Sequence, residues 1–297
     1  MMRNISNKWI ELHQSRINKI LIKFFNSREN NSTLHKACRY SVLNGGKRIR
    51  ALLVYAIGGI TNTDIKVLDQ LAISFELIHA YSLVHDDLPS MDDDNLRRGK
   101  ETCHIKFNEA QAILAGDALQ ALAFELLSSQ QLQINSSKKI TMINILSNAI
   151  GGSGMVLGQS QDIESTNHEL DIGYLEELQG LKTGLLIRAI CEITYLTAED
   201  LDKNTEKLIK KIGVLIGKIY QITDDILDCE SNTAVLGKTA GKDKKNNKVT
   251  YVSLIGIEES KEKNSCLFSE LKKCIKSIPN DSNNIMTLID YIYSRSY

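Results

Sequence analysis

IKKIGVLIGKIYQITDDILD, residues Ile209–Asp228, decides the fold. Ile209, Ile212, Ile216, Ile219, Ile222 and Ile226 recur at threes and fours, the spacing that lines one stripe of an α-helix. Gln221, Asp224, Asp225 and Asp228 fall at i, i+3, i+4 and i+7 and share another face of that helix. An apolar stripe has to be buried against a further layer. The rest of the chain supplies helices for it. Trp9, Leu12, Ile17, Ile20, Leu21 and Phe24 make a second stripe, strand-like alternation is scarce, and Pro89 and Pro279 are the only prolines. The expectation is an all-α protein of ten or more helices, one domain over residues 1–297. Breaks are expected at 26–32, 58–64, 89–99, 133–138, 164–171, 197–203 and 236–248.

Bulk properties narrow the function. A chain of 297 residues can bury a large core. Lys+Arg and Asp+Glu are both 36, so the formal net charge is zero and no global charge points to nucleic acid. Cys38, Cys103, Cys191, Cys229, Cys266 and Cys274 are scattered without a Cys-x-x-Cys pair, and read as buried, reduced thiols of a cytoplasmic protein. The N-terminus carries Glu11 and lacks the apolar core of a secretory signal. The longest apolar run, Ala51 to Ile60, is too short to span a bilayer, so no transmembrane segment is expected.

Two carboxylate clusters carry the chemistry. His85-Asp86-Asp87-Leu88-Pro89-Ser90-Met91-Asp92-Asp93-Asp94 is followed by Arg97-Arg98, and the second cluster is the one at 224–228. Like charges gathered at helix ends repel one another and resist burial, so a cation between them is expected, a hard divalent one given the oxygen ligands. Phe75, His79, Ser82 and Asp86 share a helix face, and Asp92 lies on the turn beyond, able to fold back towards Asp86. An EF-hand pattern is absent. Read as helical neighbours, Arg97 and Arg98 point about 100° apart and can serve two anions. Gly45-Gly46-Lys47-Arg48-Ile49-Arg50 places two glycines and basic side chains before the apolar helix from Ala51, a phosphate cradle built from Lys47, Arg50 and backbone N–H groups. Lys182-Thr183-Gly184 and Gly158–Asp162 are weaker signals alone. The lysine-rich stretch 237–248 reads as a solvated loop.

Taken in order, GGKRIR (45–50), HDDLPSMDDDNLRRG (85–99), GQSQD (158–162), LKTG (181–184), YQITDDILD (220–228) and LGK (236–238) resemble the trans-prenyltransferases, the polyprenyl diphosphate synthases, and above all their bacterial farnesyl diphosphate synthases. The resemblance runs from about Leu34 to Tyr297. It implies a single helical bundle around a central cavity that binds two diphosphates. Asp86, Asp92, Asp162 and Asp224 would hold several Mg²⁺ ions, with Mn²⁺ as an alternative. Arg97, Lys182 and Lys238 would contact an allylic diphosphate, and Lys47, Arg50, His79 and Arg98 isopentenyl diphosphate, with Arg295 assisting. Thr183, Gln221 and the backbone near Lys182, the catalytic set, would stabilise with oxygen dipoles the carbocation formed when the allylic C–O bond ionises. Tyr81, five residues and about 7.5 Å before Asp86 along the helix axis, would floor the prenyl pocket beside the small Ser82 and stop growth at fifteen carbons. A homodimer is implied. Asp87, Asp93, Asp94, Asp225 and Asp228 would orient the ligand shell or face water. Ala51, Gln179, Leu181 and Val252 depart from the pattern without removing a ligand. Competing readings are a geranyl or geranylgeranyl diphosphate synthase, a terpene cyclase, a His-Asp phosphohydrolase using His85-Asp86, and a non-catalytic prenyltransferase subunit.

Overall fold

The computed structural model describes residues 2–165, 170–200, 202–230 and 249–294. Lys238 and Arg295 lie outside the described residues. The chain divides into two compact units, residues 1–55 with 64–139, and residues 56–63 with 140–297.

The first unit contains α1 (Met2–Asn26), α2 (Thr33–Leu43), the start of α3 (Ile49–Thr61), α4 (Ile65–Asp86), a two-stranded hairpin of β1 (Leu96–Arg97) and β2 (Lys100–Glu101), α5 (Cys103–Phe107), α6 (Glu109–Ser128) and the first residues of α7 (Ser136–Ile150). Side-chain oxygens of Ser32, Asp64 and Asn108 accept from N–H groups in the first turns of α2, α4 and α6, which satisfies donors that the helices cannot. The main packing in this unit is α4 on α6, with α1 and α2 against α4. Of the expected N-terminal stripe, Ile17, Leu21 and Phe24 are buried beside Ile10 and Phe25, whereas Leu12 is 64% exposed. The stripe is therefore rotated from the expected one. Arg48 is buried with Glu76, its Nη1 2.8 Å from Oε2, while its Nε donates to Asn18 and its Nη2 to the Val42 carbonyl.

In the second unit α8 (Met155–Glu164), α9 (Ile172–Gln179), a π turn (Gly180–Gly184) and α10 (Leu185–Tyr195) precede α11 (Lys203–Glu230), and α12 (Tyr251–Ile255), α13 (Ile257–Lys276) and α14 (Asn283–Tyr293) follow it. All six stripe isoleucines of α11 are buried, each contributing about 1.5–3 kcal/mol by leaving water. Leu175, Ile222, Ile226 and Tyr251 form a core cluster that joins α9, α11 and α12.

Among the described residues most helix boundaries match the expected breaks; the break at 236–248, with its lysine-rich stretch, lies outside them. Helix α3 starts two residues before Ala51 and runs to Thr61, and α6 ends at Ser128, before the expected break. Cys229 and Cys266 are exposed rather than buried. Helices Ile65–Asp86 and Glu109–Ser128 and the segment Ser136–Glu164 are long and apolar enough, by length and composition, to cross a membrane. Counting uninterrupted apolar residues does not reveal them, because scattered polar residues break each run. In α4, 72% of the apolar window is buried within the protein.

Candidate functional site

In the first unit the chain doubles back directly after α4. The Asp92 N–H donates to the Asp86 carbonyl at 2.8 Å, and the Asp94 N–H to the Asp87 carbonyl at 3.2 Å. Asp92 thus returns to Asp86 as its spacing suggests. Both carboxylates are half-buried, Asp93 is exposed, and Asp87 is buried. Arg97 holds Asp87 bidentately, with Nε at 2.7 and 2.9 Å and Nη2 at 2.5 Å, and Asp94 lies 3.6 Å from the same guanidinium. Burial raises the Asp87 pKa, with Arg97 opposing and Asp94 and Asp92 assisting. Burial works to lower the Arg97 pKa, but Asp87 outweighs it and the net shift is upward. Asp87 therefore orients Arg97.

Arg97 and Arg98 are not helical neighbours. Arg97 ends β1, and Arg98 and Gly99 form the hairpin turn with φ of 55° and 74°, the paired positive values of a type I′ turn. The two arginines still separate as expected. Arg98 donates to the Gly45 carbonyl, and a β-carbon on Gly46 would meet its guanidinium carbon at 2.6 Å. Gly46 has φ 112°, a left-handed conformation that favours glycine, and a side chain there would also push the Arg98 guanidinium aside. The GGKRIR segment is thereby folded onto the hairpin. Arg48 points inward to Glu76, whereas Lys47 is exposed and Arg50 half-buried.

His79 lies among these cations. Burial, and then Arg50, Arg98, Arg97 and Arg48, hold its pKa well below the ordinary 6.5. The ring is neutral near pH 7, and Nδ1 has no hydrogen-bond partner among the described residues. Burial and the same neighbours depress Arg98, with Glu76 opposing. Such a concentration of like charge is costly without an anion. Ser82 donates to the His79 carbonyl at 3.0 Å, and Tyr81 is buried.

The second unit assembles a different set. The π turn falls on the LKTG motif, and π insertions leave carbonyls outside the regular ladder, often at functional sites. Two glycines set its position. A β-carbon on Gly158 would lie 2.5 Å from the Lys182 nitrogen, and one on Gly217 would lie 2.8 Å from the Gly184 α-carbon. Helices α8 and α11 can approach the turn only because both side chains are missing. Lys182 Nζ consequently reaches Asp162 Oδ2 at 2.7 Å. Thr183 Oγ1 donates to Gln221 Oε1 at 3.4 Å, and Gln221 Nε2 donates to Asp225 Oδ1 at 3.0 Å. Asp225 Oδ2 accepts from the Tyr251 N–H at 2.9 Å and from Gln179 Nε2 at 3.4 Å. Asp225 and Asp228 are buried while Asp224 is half-buried, which leaves Asp224 as the carboxylate better placed to meet a ligand. A cavity of about 230 Å³ lies on this side of the unit, lined in part by Gln179, Gly184, Leu185, Gly217, Gln221 and Tyr251.

Among the described residues no three carboxylate, imidazole or thiolate side chains converge on one point within a unit. The half-buried Asp86, Asp92, Asp162 and Asp224 supply hard oxygen donors, and the doubled-back turn after α4 fits a cation of the Mg²⁺ type. One polar group escaped the sequence reading. Both amide atoms of Gln159 are buried without partners among the described residues. Its signal was present in GQSQD, but only Asp162 was singled out there.

An all-α fold, a cluster of arginines about His79 and two aspartate motifs define a class, and the comparisons agree on it. The polyprenyl synthetase family model matches residues 31–292, and the chain belongs to that family. The farnesyl diphosphate synthase of Haemophilus influenzae is 42% identical over 284 residues, covering 95% of this chain and 96% of that protein. A geranyltransferase from Legionella pneumophila superposes with a TM-score of 0.89 at 31% identity, over 99% of both chains. A geranyltransferase from Helicobacter pylori, solved with magnesium and isoprenyl diphosphate, superposes with a TM-score of 0.84 at 30% identity, over 96% of this chain and 98% of that one.

Proposed function

We propose that the chain is a Mg²⁺-dependent prenyltransferase, a (2E,6E)-farnesyl diphosphate synthase working as one catalytic domain. It joins isopentenyl diphosphate head-to-tail to dimethylallyl diphosphate and then to geranyl diphosphate, releasing diphosphate each time. The observation that carries this reading is the gathering of Arg50, Arg97 and Arg98 about a neutral His79, in a family whose curated relatives are farnesyl diphosphate synthases.

Lys47, Arg50, His79 and Arg98 bind isopentenyl diphosphate. Neutral His79 can donate to it or accept from a neighbouring guanidinium without adding charge. Arg97, oriented by Asp87, and Lys182, released from Asp162, bind the allylic diphosphate, with Lys238 as a further contact. Asp86, Asp92, Asp162 and Asp224 hold Mg²⁺ or Mn²⁺. When bound, the metal neutralises diphosphate charge and favours departure of the leaving group. Gln221 and Thr183 present oxygen dipoles to the allylic cation, and Asp225 fixes the amide so that Oε1 faces Thr183. The isopentenyl double bond then adds, and the proton lost goes to released diphosphate. Tyr81 floors the prenyl pocket and Ser82 leaves room beside it. The protein acts as a cytoplasmic homodimer, for which the exposed Ile113 and Leu114 of α6 offer an apolar surface.

The His-Asp phosphohydrolase reading loses its key ligand, because His85 Nε2 meets the Ile113 carbonyl at 3.0 Å instead of joining Asp86. Product analysis from geranyl diphosphate and Mg²⁺, with and without isopentenyl diphosphate, tests the whole assignment. A fifteen-carbon diphosphate formed only with isopentenyl diphosphate is expected. Hydrolysis or cyclisation in its absence would refute the synthase reading, as would inactivity relieved by a partner protein. Tyr81→Ala is expected to lengthen the product; an unchanged fifteen-carbon product removes Tyr81 as the floor.

A further inference from the structure

His85 holds a contact that diphosphate binding does not use. Its ring sits against α6 at Gly116, so closely that a β-carbon there would lie 2.0 Å from Nε2. Nε2 donates to the Ile113 carbonyl at 3.0 Å, and Asp117 Oδ1 stands 3.9 Å away. The ring is thus seated on α6, with Nε2 on a backbone acceptor and over the bare surface of a glycine. One turn earlier on α4, Tyr81 meets His85 edge-to-face, with ring centroids 5.8 Å apart and planes at 84°. Edge-to-face pairs are favoured by the ring quadrupoles. The Tyr81 hydroxyl lies beside the Gln120 side chain but, among the described residues, closes no hydrogen bond of good geometry. The ring contact, rather than the hydroxyl, therefore fixes the orientation of Tyr81.

We infer that His85 is a positioning residue for product length: seated on Gly116 and held by the Ile113 carbonyl, it braces the Tyr81 ring across the path of the growing prenyl tail. The inference rests on Tyr81 being the floor of that pocket. A tyrosine ring hops between staggered rotamers unless packing selects one. Without the brace, a fraction of the enzyme would open the floor and admit another five-carbon unit. The imidazole is suited to the role, because it offers an aromatic ring to Tyr81 and an N–H to α6 in one small side chain. Asp86, next in sequence, points to a different task from the same helix end.

The experiment measures the ratio of twenty- to fifteen-carbon product from geranyl diphosphate and excess isopentenyl diphosphate. That ratio does not depend on how much enzyme is folded. His85→Ala should raise it about two- to tenfold, the population bias an edge-to-face pair supplies. Gly116→Ala, whose β-carbon displaces the His85 ring, should raise it in the same sense, and it carries the test if His85→Ala proves inactive. Tyr81→Phe keeps the ring and should leave the ratio unchanged. In a Tyr81→Ala background, His85→Ala should add nothing. The inference is overturned if Tyr81→Ala lengthens the product while His85→Ala and Gly116→Ala leave the ratio alone, or if His85→Ala shifts the ratio equally with and without Tyr81. Failure of Tyr81→Ala itself to lengthen the product refutes the floor instead, a distinguishable result.

Discussion

Replacing Gly158 by alanine should separate α8 from the π turn and lower turnover far more than it lowers stability. The added β-carbon would lie 2.5 Å from the Lys182 nitrogen and 2.9 Å from both the Lys182 α-carbon and the Leu181 β-carbon. Ordinary contact begins near 3.4 Å. The shortfall of about 1 Å faces backbone and cannot be relieved by a side-chain rotation, so α8 or the turn has to move. Overpacking of this kind costs about 1–3 kcal/mol. The same shift displaces Lys182 from its 2.7 Å contact with Asp162 and Thr183 from Gln221. A misplacement of about 1 Å at reacting groups can cost about 10²-fold in rate. Steady-state kinetics with geranyl and isopentenyl diphosphates, run well below the melting temperature, should show kcat reduced by about that factor, with a melting point lowered by several degrees. Gly152→Ala is the control, since a β-carbon there meets nothing within 4 Å. If Gly158→Ala keeps wild-type kcat, the close approach does not position Lys182 and Thr183, and the role argued for the π turn is wrong.

Other expectations follow from single contacts. Glu76→Ala leaves Arg48 buried without its carboxylate and should cost about 3–5 kcal/mol in urea unfolding; a loss below about 1 kcal/mol would show that water replaces the pair. Asp86→Ala and Asp224→Ala should each lower kcat by about 10²–10³-fold, while Asp94→Ala should lower it less than about tenfold. Equal losses in a single-turnover assay would contradict the division between ligand and supporting carboxylates. The His79 pKa lies below its unfolded value, so the unfolded chain takes up the proton first as pH falls. Stability is then fully present above about pH 6.5 and declines below it, by at most about 1.4 kcal/mol per unit from this residue. His79→Asn should flatten that part of the stability profile, and parallel profiles for both proteins would exclude His79 as the cause.

Much of the site could be read from the chain because its parts are local. The α11 aspartates share a helical face at fixed spacing, and Asp92 returns towards Asp86 within a tight turn. The hairpin at Arg97–Lys100 was hidden because two-residue strands leave no periodic pattern. Leu12 misled because an isolated apolar residue fits a stripe as well as a buried one does. Arg48 and Lys47 look alike in GGKRIR, yet Lys47 is exposed while Arg48 is buried against a carboxylate on a helix 28 residues away.

Helical periodicity, the carboxylate spacings and the order of the basic motifs were determined by the sequence alone, since each depends on backbone geometry repeated over a few residues. Tertiary structure decided which cations turn inward, how Asp87 and Asp225 hold Arg97 and Gln221, and why a β-carbon at Gly46, Gly116 or Gly158 would displace a neighbour. Those outcomes depend on groups brought together from distant parts of the chain, where close packing and a low dielectric make a single β-carbon or a single missing partner decisive.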